Sequence, residues 1–168
     1  MFGDVTSRAE AAALADFADV IFVGVKPKAF PAVLAALSPH LTPRHTIVSI
    51  AAGWTMAQLE GALPAGTAVV RVMPNTPIMV GAGASVFCLG THAAEEDRDV
   101  VQALLSSSGV ALEVPEDLID AAIGVSGSGP AYMFQVRACS AAIATSETVA
   151  TAPHSPGTLA CTVRTEQA

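Results

Sequence analysis

The sequence predicts an α/β protein built on an open, mostly parallel sheet, and three observations carry that expectation. Short β-branched and aliphatic runs recur along the chain: "DVIFVGV" at 19–25, "TIVSIAAG" at 46–53 and "TAVVRVM" at 67–73. Helix-prone stretches alternate with them, giving the order strand, crossover helix, parallel strand. The runs are continuously apolar rather than alternating, as in strands covered on both faces.

Composition sets the outer bounds. A length of 168 residues suits one domain with at most a short appendage, and 52% hydrophobic against 14% charged residues supplies a sizeable core. The net charge of −7 and the presence of only two lysines leave no basic stripe to displace counterions, which excludes a nucleic-acid partner. No apolar run approaches the roughly 20 residues of a membrane span. The opening "MFGDVTSRAE" has neither a charged n-region nor an apolar h-region, so it does not read as a secretory signal. Cys88, Cys139 and Cys161 are odd in number and far apart, with no C-x-x-C pair. They predict no disulfide framework and no metal site, and they fit a reducing compartment. The cytoplasm is the first expectation and a mitochondrial location stays open.

The elements follow in order. Residues 7–18 are Ala-rich and helix-prone, with Ser7 placed to cap. The strand at 19–25 leads into a helix with Pro27 in its first turn and Phe30, Val33, Leu34 and Leu37 on one stripe. After the strand at 46–53, Thr55 and Gln58 have the spacing of a capping box. Beyond the strand at 67–73 the rhythm changes. Only "PNTPIMVGAG" separates it from the next strand at 84–89, too little for a crossover helix, so an antiparallel return is expected. A helix over 91–109 turns Val100, Val101, Leu104 and Leu105 inward and ends on Gly109. A short strand, "VALEV", a short helix, "PEDLIDAAIGV", and "SGSGPAYMFQ" follow, where Ser126 or Ser128 can cap a further helix. From Val136 the chain has no aromatic residue, no Met and one Leu. That is too little apolar bulk to offset the entropy of ordering, so 136–168 reads as a poorly ordered tail.

Ligands of open α/β sheets bind beyond the carboxyl ends of the strands. Three segments emerge there: Gly24, Val25, Lys26 and Pro27; Ala51, Ala52 and Gly53; and the "MPNTP" turn with Asn75 and Thr76 between Pro74 and Pro77. Lys26 and Lys28, the only lysines, suit an anion, or else a solvated loop. The Ala-Ala-Gly run admits a flat or phosphorylated ligand close to the backbone, or simply turns from strand to helix. The two prolines hold one amide and one hydroxyl rigidly at the strand end, which favours a site over a plain turn. His40, His45, His92 and His154 read as surface residues, and Glu95, Glu96 and Asp97 as exposed first-turn acids. Ser126 and Ser128 lie outside any G-x-S-x-G pattern. No catalytic residue is assigned.

Taken together, "DVIFVGVKP", "IVSIAAG", "VRVMPNTP" and "LLSSSGVALEVPEDLIDAAIGVSGSGPAYMF" resemble the corresponding blocks of the Δ1-pyrroline-5-carboxylate reductases, in order, from about residue 4 to residue 135. The resemblance implies a Rossmann-like fold, an NADP or NAD cofactor and reduction of the cyclic imine 1-pyrroline-5-carboxylate to L-proline. It implies cofactor contacts at Gly24, Val25, Lys26, Pro27, Ala51, Ala52 and Gly53, and places Asn75 on the rim beside the nicotinamide. It also implies a homo-oligomer formed by a helical C-terminal domain. On this reading, residues 1–125 are a partial dinucleotide-binding domain, 126–135 the start of the dimerisation domain, and 136–168 an atypical tail.

Two departures from the family accompany the match. No G-x-G-x-x-G loop occurs in the sequence, so the first βαβ unit is expected to be lacking and the pyrophosphate weakly held. "HSPGTLACT", residues 154–162, is a faint counterpart of the family's substrate loop, and the long helices are expected to be missing. The alternatives are a catalytically inactive truncated form of this enzyme, or another dehydrogenase of the superfamily, for which "SGSGPAY" is the wrong junction.

Overall fold

The structure is a computed structural model in which residues 8–145 are described, with their side chains over 11–138. They fall into two compact units that meet in sequence between Gly127 and Ser128.

The first unit is a five-stranded sheet in sequential order. Strands β1 (Val20–Val23), β2 (Thr46–Ser49) and β3 (Ala68–Met73) run parallel, with Val23 beside Ser49 and Ser49 beside Arg71. β4 (Gly83–Leu89) returns antiparallel to β3, as the short connection after Pro74 requires, and β5 (Gly109–Glu113) lies parallel to β4. The sheet is the mostly parallel α/β arrangement of a Rossmann-like fold.

Helices α1 (Arg8–Phe17), α2 (Phe30–Leu37), α3 (Met56–Gly61) and α5 (Glu116–Ala122) contribute to one core layer, with Phe30, Leu34, Leu37, Leu59 and Ile119 buried against Ile21, Ile47 and Val69. The other layer joins Val48, Val70, Val72, Phe87 and Ala111 to Val101 and Leu105 of α4 (Glu95–Ser106). Among the described residues α4 is the one helix in that layer, and the unevenness corrects two expectations. Phe22 of β1 is 42% exposed rather than covered, because α4 packs over β3 and β5 and not over the β1 edge. On α4 itself, Val101 and Leu105 face inward while Val100 and Leu104 stay about half exposed.

Two helix ends also differ from expectation. α2 starts at Phe30, not at Pro27. A helix from Pro27 would place Pro31 in its interior, where it has no N–H for the Pro27 carbonyl and its ring would clash. The chain instead makes a turn, with the Ala29 N–H bonded to the Lys26 carbonyl at 2.9 Å, and Pro31 takes the tolerated first turn. Gly109 opens β5 instead of capping α4; its φ is +145°, and a Cβ there would lie 2.0 Å from the Gly83 carbonyl oxygen of the neighbouring strand. The Thr55–Gln58 capping box forms as the spacing predicts, with bonds of 3.3 and 2.9 Å.

After α5, residues Ile123–Gly127 make a π-helical turn that ends the first unit. The second unit contains α6 (Gly129–Thr145), whose first turn closes on the Ser128 carbonyl. α6 runs past residue 136, where the tail was expected to begin. Residues 146–168, with His154 and the "HSPGTLACT" stretch, lie outside the described residues.

Candidate cofactor rim

Parallel pairing of β1, β2 and β3 brings their carboxyl ends to one edge of the sheet, so the three segments singled out in the sequence emerge side by side. Gly24 leaves β1 against the β2 strand end, where a Cβ would touch Ile50 Cδ1 at 3.0 Å. Val25 is half-buried, and Lys26, Pro27 and Lys28 are exposed in the turn before α2. Beyond β2, Ala51 is buried and Ala52 and Gly53 are open to solvent. Gly53 has φ +79°, with nothing within 4 Å of a Cβ position, so conformation rather than crowding requires glycine there.

Trp54 ties the first two segments together. Its ring packs against Phe30 at 4.8 Å between centroids, tilted by 42°, joining the loop after β2 to the start of α2. The sequence offered one signal for this role: the chain's single tryptophan directly follows the Ala-Ala-Gly run.

The third segment is the most constrained. Pro74 and Pro77 flank Asn75, which has extended backbone, and Thr76–Val80 form a 3₁₀ turn closed at Gly81. Asn75 does not point freely into the rim. Its Oδ1 accepts the Ala84 N–H at 2.8 Å and its Nδ2 donates to the Ser126 carbonyl at 3.1 Å. Ser126 in turn donates its hydroxyl to the Ala122 carbonyl at 2.9 Å rather than capping a helix. The carbonyl of residue 126 is a backbone group, and no side-chain pattern could have revealed it.

The charged pairing of the sheet centres on β3, beside Ser49 at the end of β2. Arg71, buried in β3, donates to Glu116 at 2.9 Å and Asp120 at 3.2 Å of α5, and Glu116 also accepts the Met56 N–H at 2.6 Å. A cavity of about 420 Å³ is lined by Met56, Cys88, Leu89, Glu113, Val114, Pro115 and Glu116, with Cys88 beside Arg71 across the β3–β4 pair. Burial, aided by the Glu116 carboxylate, pushes the Cys88 thiol up to about 11, so it is held protonated and is a poor nucleophile. Among the described residues no cluster of three potential metal ligands occurs, and no helix is long and apolar enough to cross a membrane.

Two residues read as exposed are structural. His45 is buried, with its ring against the Ala15 carbonyl of α1. Asp97 of α4 accepts both the Thr46 hydroxyl and the Ala94 N–H, fixing the first turn of α4 to β2.

A family model described as "NADP oxidoreductase coenzyme F420-dependent" matches residues 2–53. A pyrroline-5-carboxylate reductase 2 of Macaca fascicularis is 47% identical over 119 residues, 69% of this chain and 37% of the relative. The structure superposes on a Plasmodium falciparum pyrroline carboxylate reductase with NADP bound, with a TM-score of 0.75 at 30% identity, covering 82% of this chain and 53% of that one. Over this stretch the chain is similar to the pyrroline-5-carboxylate reductases. The Coxiella burnetii pyrroline-5-carboxylate reductase agrees, with a TM-score of 0.74 at 31% identity over 80% of this chain and 52% of its own. The chain spans about two fifths of the length of the curated reductases it matches, and about half of the solved ones.

Proposed function

We propose that the chain carries the nicotinamide-facing rim of an NAD(P)H-dependent reductase that converts 1-pyrroline-5-carboxylate to L-proline. One observation supports this above the others: the ends of three parallel strands deliver Gly24–Pro27, Ala51–Gly53 and the Asn75 turn to a single edge. The residues present fit a dinucleotide. Ala52 and Gly53 give an open backbone surface without side-chain bulk, and both lysines of the chain stand exposed beside it. Gly24, Val25, Lys26 and Pro27 would hold one side of the cofactor and Ala51, Ala52 and Gly53 the other, with the Asn75 turn setting the edge. When bound, the nicotinamide supplies the hydride for the imine carbon. The work of this chain is orientation: Trp54 against Phe30 fixes two of the segments and the prolines fix the third. Lys26 offers its charge to the anionic groups of cofactor or substrate.

The same reading assigns self-association to the second unit. Tyr132, Met133, Phe134 and Val136 of α6 are each at least half exposed, a large apolar surface for a helix in water.

Titration of the 168-residue chain with NADPH, followed by nucleotide fluorescence, tests the cofactor assignment. Saturable binding that weakens about two- to fivefold in Lys26→Glu is expected, the size of one exposed charge contact. Absence of binding, or an affinity indifferent to charge reversal, overturns it.

A further inference from the structure

We propose that Asn75 is a positioning residue: its side-chain amide clamps the turn after β3 to both the start of β4 and the π turn Ile123–Gly127, and it does not contact the cofactor directly. The proposal rests on the reading of the rim given above and changes the part Asn75 plays in it.

The two partners of the amide are of opposite kinds. Ala84 presents its N–H, 2.8 Å from Oδ1, and Ser126 presents its backbone carbonyl, 3.1 Å from Nδ2. An amide is the short neutral group that donates at one end and accepts at the other, so the partners themselves fix which way it faces. Aspartate would keep the bond to Ala84 and turn a carboxylate oxygen towards the Ser126 carbonyl. Alanine would lose both bonds, and glutamine is one methylene too long for the same span.

The backbone on either side explains why a clamp is placed here. Pro74 and Pro77 cannot donate, so the turn has few backbone N–H groups with which to tie itself down. The π turn widens the helical ladder, and such turns recur at functional sites because they aim backbone groups out of the regular helix. Ser126 contributes two bonds from one residue: its hydroxyl reaches back to Ala122 and its carbonyl accepts from Asn75. The rim and the last turn of the first unit are thereby one hydrogen-bonded body, with 51 residues between the two ends of the clamp.

Asn75 is the only asparagine in the sequence, which makes the test direct. With ¹⁵N-asparagine labelling, the side-chain amide of the wild-type chain gives a single NMR pair. A slowly exchanging Nδ2 proton that stays in place when NADPH is added is expected. Two protons exchanging at the solvent rate, or a pair that shifts and loses its protection on nucleotide addition, would overturn the clamp. Hydrogen exchange on variants separates its two arms. Asn75→Asp should raise exchange across residues 123–127 about tenfold, the size of one lost hydrogen bond, while the Ala84 amide stays protected. Asn75→Ala should release both. Unchanged exchange at 123–127 in both variants counts against the proposal. Failure of the wild-type chain to bind NADPH would remove the cofactor reading and leave the exchange results to decide the clamp alone.

Discussion

His45 meets the same requirement inside the core that Asn75 meets at the rim. Its Nδ1 accepts the Thr42 N–H at 2.8 Å, so Nε2 carries the proton and donates to the Ala15 carbonyl at 2.8 Å. Arg44 adds a bond to the same carbonyl at 2.7 Å, and together the two residues close the last turn of α1. His45→Ala removes a fully buried ring and leaves polar groups unpaired, so a loss of about 2–4 kcal/mol in urea unfolding is expected. Cys88 gives a second single-residue expectation. Its thiol ionises near 9.0 in an unfolded chain and near 11 when folded. The unfolded chain therefore loses this proton first, and the contribution of the thiol to stability is complete below about pH 9 and lost as pH rises through 11. In a Cys139→Ser, Cys161→Ser background, alkylation of native Cys88 at pH 8 should run far slower than in urea. Equal rates would show an accessible thiolate.

At the scale of elements, the Arg71 network decides how α5 sits on the sheet. A lone arginine in "VVRV" reads oddly for a buried strand, and the structure explains it by supplying Glu116 and Asp120 from one face of α5. Glu116 also accepts the first N–H of α3, so one carboxylate joins three elements. Removing it leaves the buried guanidinium half-paired. Because Glu116 keeps some solvent contact, Glu116→Ala is expected to cost about 2–3 kcal/mol, below the roughly 3–5 of a fully buried pair. Arg71→Met, which leaves no orphaned buried charge, should cost less. Thermal unfolding of the two variants compares them directly, and the reverse order would show that the network adds little.

At the scale of the whole molecule, the sheet is covered unevenly, and this separates what was readable from what was not. Strand identity, the parallel order of β1 to β3 and the antiparallel return were legible in the sequence. They depend on local apolar runs and on the lengths of the connections between them, and chain geometry leaves few other solutions. The grouping of Gly24–Pro27, Ala51–Gly53 and the Asn75 turn on one rim follows from that order alone. Inward and outward faces were less legible. Val100 and Phe22 carry the same apolar signal as Val101 and Ile21, and which of them is buried depends on where α4 lies. The start of α2 was written in the chain at Pro31.

By itself, the sequence determined the fold class, the grouping of three strand ends on one edge and the resemblance to the reductases, because each is set by short-range pattern and spacing. Tertiary structure decided the partners: Asn75 with a carbonyl 51 residues away, Arg71 with two acids on α5, and His45 with the end of α1. A hydrogen bond is satisfied by whichever group folding brings within about 3 Å, and distance along the chain carries no record of that.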